Sequence, residues 1–414
     1  MKIGLLTQWY APEPGPAALP ADLAQGLAAR GHDVKVLTGF PNYPSGKLAE
    51  GWSMRRSRVA VEDGVTVHRV ALYPHHGASG AKRLLNYGSF GASALVNGFR
   101  SLSDCDAVWV NYSPVTIGVP MLACRYLQRV PMMTHVLDLW PDTLTASGFL
   151  SGRPASVAEA VLNRWCAQMY RASGSVAYIS PSVGDVLRSR GVPAEKLEYI
   201  PMWANERVFH TAGRSQRDAL GFPASAVVLL YAGTMGGAQG LGSLIQAASS
   251  FSTGQLVVLM AGSGTHEDEL RDLASELGAD NVRFLGRRPP EQMPDLYATA
   301  DLSYVSLNDH PLARMTMPSK IQASMASGCA LLVAARGDAR SVVLDSGAGF
   351  AADPEDDASI AAALREAIEA GKPELARRGR QARQYYTDTF SLDAAVSRVE
   401  QVLTATARTR GARS

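Results

Sequence analysis

Residues 231–244 read YAGTMGGAQGLGSL, with Gly233, Gly236, Gly237 and Gly240 crowded between an apolar run and a helical pattern. The preceding run, Ala226–Leu230, is uncharged and reads as a buried strand. A strand that enters a glycine-rich turn and leaves as a helix opens a βα unit. Such turns offer backbone N–H groups to a phosphate. This one contains neither Lys nor Arg. An anion held there needs its countercharge from another part of the chain.

The same rhythm extends in both directions. AVVLLYAG, QLVVLMAG, NVRFLG, DLSYVSL and ALLVAA read as strands separated by helical stretches. The first half repeats the scheme: a strand at 2–7, the loop QWYAPEPGPA, a helix carrying Leu19, Leu23 and Leu27, then the strand DVKVLTG. Further strands are expected at 65–70, 107–111, 132–137, 175–180 and 197–200. Strands alternating with helices make parallel sheets, so the fold class is α/β with two successive doubly wound, Rossmann-like domains. Their expected bounds are 1–203 and 204–390. The segment RQYYTDTFSLDAAVSRVEQVL reads as two helices joined at Ser391, the second running over 391–408.

Composition narrows the function. The 414 residues are 46% hydrophobic and 19% charged, and 40 basic against 38 acidic residues leave +2, so no nucleic-acid partner is expected. The basic clusters at 55–58 and 408–413 read as solvated loop and tail. Four scattered cysteines without CxxC spacing read as buried thiols of a cytoplasmic protein. No stretch reads as a leader or a span. The loop NYPSGKLAEGWSMRRSR and the amphiphilic stretch GAKRLLNYGSFGASALVNGFR could still rest on a membrane face.

Several chemistries lose support. A dinucleotide fingerprint would place G-x-G-x-x-G after the first strand, where only Gly15 stands between Pro14 and Pro16. Gly262-Ser263-Gly264 starts a second match, but Glu267 occupies the third glycine position. Asp104-Cys105-Asp106 precedes a strand, on the end away from a ligand cleft, and reads as a surface turn. His75-His76 lack a third ligand at metal spacing and read as solvated. No metal site and no cofactor are expected.

The missing countercharge has candidates. Met317-Pro318-Ser319-Lys320 suits a helix start, with Pro in the first turn and Ser as cap. Arg314 and Lys320 flank that start, where the helix dipole already favours an anion. This helix and the glycine turn both follow strands of one sheet, so both can face one ligand.

Together these residues resemble the retaining glycosyltransferase family 4 of the GT-B fold, within it the bacterial fucosamine and colanic-acid transferase branch. The resemblance runs in order through YAPEPGPAA, LTGFPNYPSGKL, VLDLWPDTL, YISPSVGDVL, YAGTMGGAQGL, GSGTHEDEL, RMTMPSKIQASMASG and TFS. It implies two Rossmann-like domains facing a central cleft, the first for the acceptor and the second for a UDP- or GDP-sugar donor. The last helix would complete the first domain. It also implies that Gly15 and Pro16 approach the donor phosphates and that Gly233, Thr234, Gly236 and Gln239 line the diphosphate. Gly262 belongs to the same donor side, and Leu285 and Arg287 would meet the base. Ser319 and Lys320 would sit at phosphate and sugar, with Gln322 in the next turn. The implied catalytic set is Asp138, near the reacting sugar, with Arg314 and Lys320 at the phosphate. Some positions depart from the family: Met315 and Ala323 replace its two glutamates, and Leu137 its usual histidine. The acceptor would be a glycan, a lipid-linked sugar or a small soluble metabolite. A sugar-nucleotide epimerase and a binding module without turnover are alternative readings.

Overall fold

A computed structural model describes residues 1–77, 79–142 and 153–411. The chain forms two compact units, Met1–Pro201 with Leu392–Ser414, and Met202–Ser391.

The first unit is built on β1 (Lys2–Leu6), β2 (Asp33–Gly39), β3 (Ser57–Glu62), β4 (Val65–Val70), β5 (Ala107–Asn111), β6 (Met132–Val136), β7 (Ser175–Tyr178) and β8 (Leu197–Tyr199). They form one sheet in the order β3-β4-β2-β1-β5-β6-β7-β8. The order reverses at β1, which pairs in parallel with both β2 and β5. The central strands are apolar almost throughout because both faces are covered; Ile3, Leu5, Leu6, Val108 and Val110 have no exposure. Helix α1 (Leu19–Ala29) follows the first loop, and α2 (Gly80–Ser93) follows β4.

The C-terminal helix Leu392–Gly411 belongs to this unit and packs on α1. Gly26 is the point of closest approach, since a Cβ there would lie 2.6 Å from Val396 Cγ2. Arg30 reaches Asp393 and Glu400, and His32 Nε2 lies 2.8 Å from Glu400 Oε1.

One strand escapes the sequence reading. Residues 57–62 pair antiparallel with β4, so the stretch read as a solvated basic loop is partly the edge of the sheet. Val59 and Val61 are 61% and 74% exposed, and charged neighbours blunt the edge. A strand with both faces partly wet lacks the apolar run that marks the others. Asp104 does form a surface turn, and its carboxylate accepts from Lys2 and Lys35. All four cysteines are buried thiols outside any disulfide. Side chains beyond residue 408 lie outside the described residues, and with them most of the basic tail.

The second unit carries β9 (Val227–Ala232), β10 (Leu256–Ala261), β11 (Val282–Gly286), β12 (Leu302–Ser306), β13 (Ala330–Ala334) and β14 (Gly349–Ala352), all parallel, in the order β11-β10-β9-β12-β13-β14. The order reverses at β9. The crevice outside the carboxyl ends of β9 and β12 is therefore the ligand position of a doubly wound sheet. Helices α3 (Leu241–Ala248), α4 (Glu267–Glu276) and α5 (Ser319–Ala326) follow β9, β10 and β12. The long helix Asp357–Tyr385 leads to Ser391, where the expected break between the last two helices falls.

Candidate donor site and its relatives

The glycine turn lies at the carboxyl end of β9, on the switch point. Successive turns of the sheet are laced together by backbone. Gly233 N–H donates to Ala261 O at 2.9 Å, Met235 N–H to Ser263 O at 3.0 Å and Gly262 N–H to Gly286 O at 2.9 Å. Gly233 and Gly262 both have φ of 148°, a region side chains avoid. A Cβ on Gly262 would lie 1.8 Å from Gly233 O, and one on Gly264 2.1 Å from Met235 O. The Gly262 expected on the donor side thus has a packing reason of its own: it lets the β9 turn pass.

The turn is also tied to the loop after β12. Ser306 Oγ donates to Gln239 O at 2.6 Å, and Asn308 Nδ2 to Gly237 O at 2.8 Å. Gln239 turns its side chain inward, where Oε1 accepts from Gly236 N–H at 3.1 Å. Gln239 therefore shapes the turn, while the exposed Thr234 faces outward. A cavity of ≈ 290 Å³ flanks the turn, lined by Gly236, Gly240, His266 and Leu273 among others, but not by Lys320.

Lys320 enters from α5. Its Nζ donates to the Tyr231 hydroxyl at 3.0 Å and stands 4.7 Å above the Tyr231 ring. The Tyr231 hydroxyl in turn donates to Thr234 O. The lysine stem runs along the turn: a Cβ on Gly233 would lie 2.3 Å from Lys320 Cε. Among the described residues no carboxylate pairs with this ammonium. Burial alone pushes its pKa down to about 8. A half-buried cation without an anion, set against a turn rich in backbone N–H groups, is a site prepared for an anionic ligand.

The other expected residues divide. Arg314 is 51% exposed and held by both oxygens of Asp309, Nε at 2.8 Å and Nη2 at 2.9 Å. Its charge is already matched within its own loop. Ser319 is the first residue of α5, and Pro318 takes the cap position, so the Ser hydroxyl caps nothing. Gln322 is 3% exposed with Oε1 unpaired, a polar atom left without a partner one turn along α5. Leu285 lies in β11, and Arg287 is exposed just beyond it.

In the first unit, Asp138 follows β6 and accepts from Ser113 Oγ at 2.6 Å. Gly15 has φ of 65°, and a Cβ there would meet nothing within 4 Å, so the turn needs glycine for its backbone rather than for space. The Pro16 side chain lies outside the described residues. Two residues that shape the turn and hold Lys320 escape the sequence reading. Tyr231 falls inside the strand AVVLLYAG, and Asn308 just beyond DLSYVSL; neither carries a local signal for what it holds.

Known proteins place this arrangement. The model for glycosyl transferases group 1 matches residues 214–385, and that for the glycosyl transferase 4-like domain matches 15–203. The colanic acid biosynthesis protein of Escherichia coli (strain K12) known as the glycosyl transferase WcaI is 27% identical over 383 residues, 89% of this chain and 92% of that one. The D-inositol 3-phosphate glycosyltransferase of Corynebacterium kroppenstedtii is 33% identical over 364 residues, 82% and 74% of the two chains. The Anabaena protein HepE, solved in complex with UDP, superimposes with a TM-score of 0.71 at 18% identity, covering 98% of this chain and all of that one (100%). Two Rossmann-like units, each on a mostly parallel sheet, make the GT-B fold. The chain belongs to glycosyltransferase family 4.

Proposed function

We propose that the protein is a retaining, metal-independent hexosyltransferase that moves a sugar from a UDP- or GDP-sugar to a glycan or lipid-linked acceptor. The observation that carries this reading is the Lys320 ammonium against Gly233, hydrogen-bonded to Tyr231 and with no carboxylate partner among the described residues. As the bond from C1 of the sugar to the phosphate oxygen stretches, negative charge grows on the departing diphosphate. Lys320 and the N–H groups of the glycine turn and of the α5 start would meet that charge. Fixed donors aimed at a developing charge lower the barrier without reorganising. Asp138 would lie near the reacting sugar, and the departing phosphate would take the acceptor's proton on the same face. The UDP held by the Anabaena neighbour supports a nucleotide-diphosphate donor, and the colanic-acid name of the Escherichia coli relative supports a glycan acceptor. An inositol-phosphate acceptor, after the Corynebacterium relative, is the competing reading.

The test combines a thermal-shift panel of UDP- and GDP-sugars with NMR of the product formed in excess EDTA. Expected are stabilisation by one donor, turnover in chelator and retention of the anomeric configuration. Inversion at C1, or activity restored only by added Mg²⁺, would overturn the mechanism.

A peripheral membrane contact is part of the proposal. No helix among the described residues is long and apolar enough to cross a membrane. Leu84, Leu85 and Val96 are nonetheless 66%, 53% and 69% exposed on and just beyond α2. Arg56 Nε donates to Asn97 Oδ1 at 2.6 Å, bringing the basic 55–58 stretch alongside. No Asp or Glu occurs between Asp63 and Asp104. The protein should co-sediment with vesicles containing phosphatidylglycerol, and less at high salt. Absence from the pellet at low salt would refute the contact.

A further inference from the structure

The loops after β1, β2 and β4 converge on α2 over a floor of buried amides. Gln8 Nε2 donates to Asn86 Oδ1 at 2.6 Å, and Asn86 Nδ2 to Asn42 Oδ1 at 3.2 Å and Tyr73 O at 2.6 Å. Gln8, Asn42 and Asn86 are each at most 1% exposed. The Glu13 carboxylate fastens the same loops from below. It accepts from the backbone N–H groups of Asn42 at 2.8 Å, Tyr43 at 2.9 Å and Tyr10 at 3.2 Å. Gly46, with φ of 71°, lets the β2 loop pass the β4 loop, since a Cβ there would lie 2.4 Å from His76 N. Floors of this kind fix what stands on them.

On it stands a group of rings. Tyr43 meets His76 edge-on with centroids 5.1 Å apart, Trp9 lies 6.3 Å from His76, and Trp9 meets Tyr87 edge-on at 6.3 Å. The histidines read as solvated are instead half-buried here. Among the described residues Trp9 Nε1, His75 Nε2 and His76 Nε2 are buried with no hydrogen-bond partner, and Gln8 Oε1 in the floor has none either. Unsatisfied polar atoms in and beside the ring cluster are costly unless something answers them. Burial raises the Tyr87 pKa, while Arg83 lowers it and Asp138 raises it further. Burial, with Arg83 and His75, lowers the His76 pKa and keeps that ring neutral.

We propose that the Trp9–Tyr43–His76–Tyr87 cluster is a binding site for an uncharged pyranose ring, the sugar unit of the acceptor. Aromatic faces take the apolar C–H face of the ring, and the unpaired ring nitrogens take its hydroxyls. The assignment rests on the transferase reading above and names the chemistry of its acceptor.

The test is saturation-transfer NMR on the full chain, saturated with UDP, using methyl glycosides of glucose, galactose, N-acetylglucosamine and fucose as probes. Saturation should reach the ring C–H protons of at least one glycoside. Trp9→Ala should weaken that binding roughly tenfold, and Trp9→Phe should restore most of it. His76→Gln, which keeps a polar tip without a ring, serves as a second variant should Trp9→Ala fail to fold. UDP affinity should not change in any of them. Comparing each methyl glycoside with its prenyl-diphosphate counterpart separates the sources: tighter binding of the latter marks a lipid-linked sugar, and equal binding a free glycan. Binding of myo-inositol phosphate without any glycoside, or glycoside binding indifferent to all three variants, overturns the proposal while intact UDP binding leaves the donor reading standing. Absence of UDP binding would instead strike the donor reading itself.

Discussion

Lys320→Ala is expected to lower kcat/KM by about 10- to 150-fold, the loss of one charge-assisted contact of roughly 1.5–3 kcal/mol. The loss should fall more on kcat than on donor affinity, because the phosphate gains charge as the sugar leaves. The free enzyme should also lose kcat/KM as the pH rises through about 8, where burial has placed the Lys320 pKa. Lys320→Arg should lack that limb, since a guanidinium stays charged. Stability should move the other way. An unfolded chain binds this proton up to an ordinary lysine pKa, whereas the fold releases it near 8. The destabilisation is therefore full below 8 and fades as pH rises toward 10.5. Lys320→Met should then melt several degrees higher than the wild type at pH 7 while turning over poorly. Wild-type kinetics in the alanine variant would mean that the diphosphate is neutralised elsewhere.

Gly262→Ala is expected to cost about 3 kcal/mol or more and to lower the melting temperature by about 6–12 °C. Two causes act together. The residue has φ of 148°, and its new methyl would stand 1.8 Å from Gly233 O, a backbone atom that cannot step aside. Moving the β9 turn to relieve the overlap would shift Gly233 away from Lys320, so stabilisation by a donor should disappear as well. Gly254→Ala is the control. Its Cβ would find nothing closer than Ser252 Oγ at 3.9 Å, so the melting temperature should barely change. Equal melting of the two variants would refute the interlocked turns.

The fold was legible wherever a strand is buried on both faces, because such strands are written as unbroken apolar runs. AVVLLYAG and QLVVLMAG could scarcely be anything else. The edge strand 57–62 was not, since its residues serve water on both sides. The glycine turn and Lys320 were legible as partners because strand order brings their loops to one switch point. That Tyr231 would carry the ammonium was not, for a tyrosine at the end of a strand looks like core. The pairing of Arg314 was hidden for a related reason. A cation near a helix start reads as free until the fold shows Asp309, five residues earlier, curling back to meet it. His75 and His76 read against a metal template offer no third ligand; the setting of His76 against Trp9 and Tyr43 arises from three loops far apart in sequence.

The return of Leu392–Gly411 to α1 sets the order in which the protein can be completed during translation. Domains commonly fold as the ribosome releases them, the first one first. Here the first unit still lacks the helix that covers Gly26 and engages Arg30 when residue 201 has emerged. The second unit, Met202–Ser391, has all its strands before that helix is made. The unit begun first is thus finished last, and its exposed α1 surface has to wait, in the cell, for about 190 further residues of synthesis.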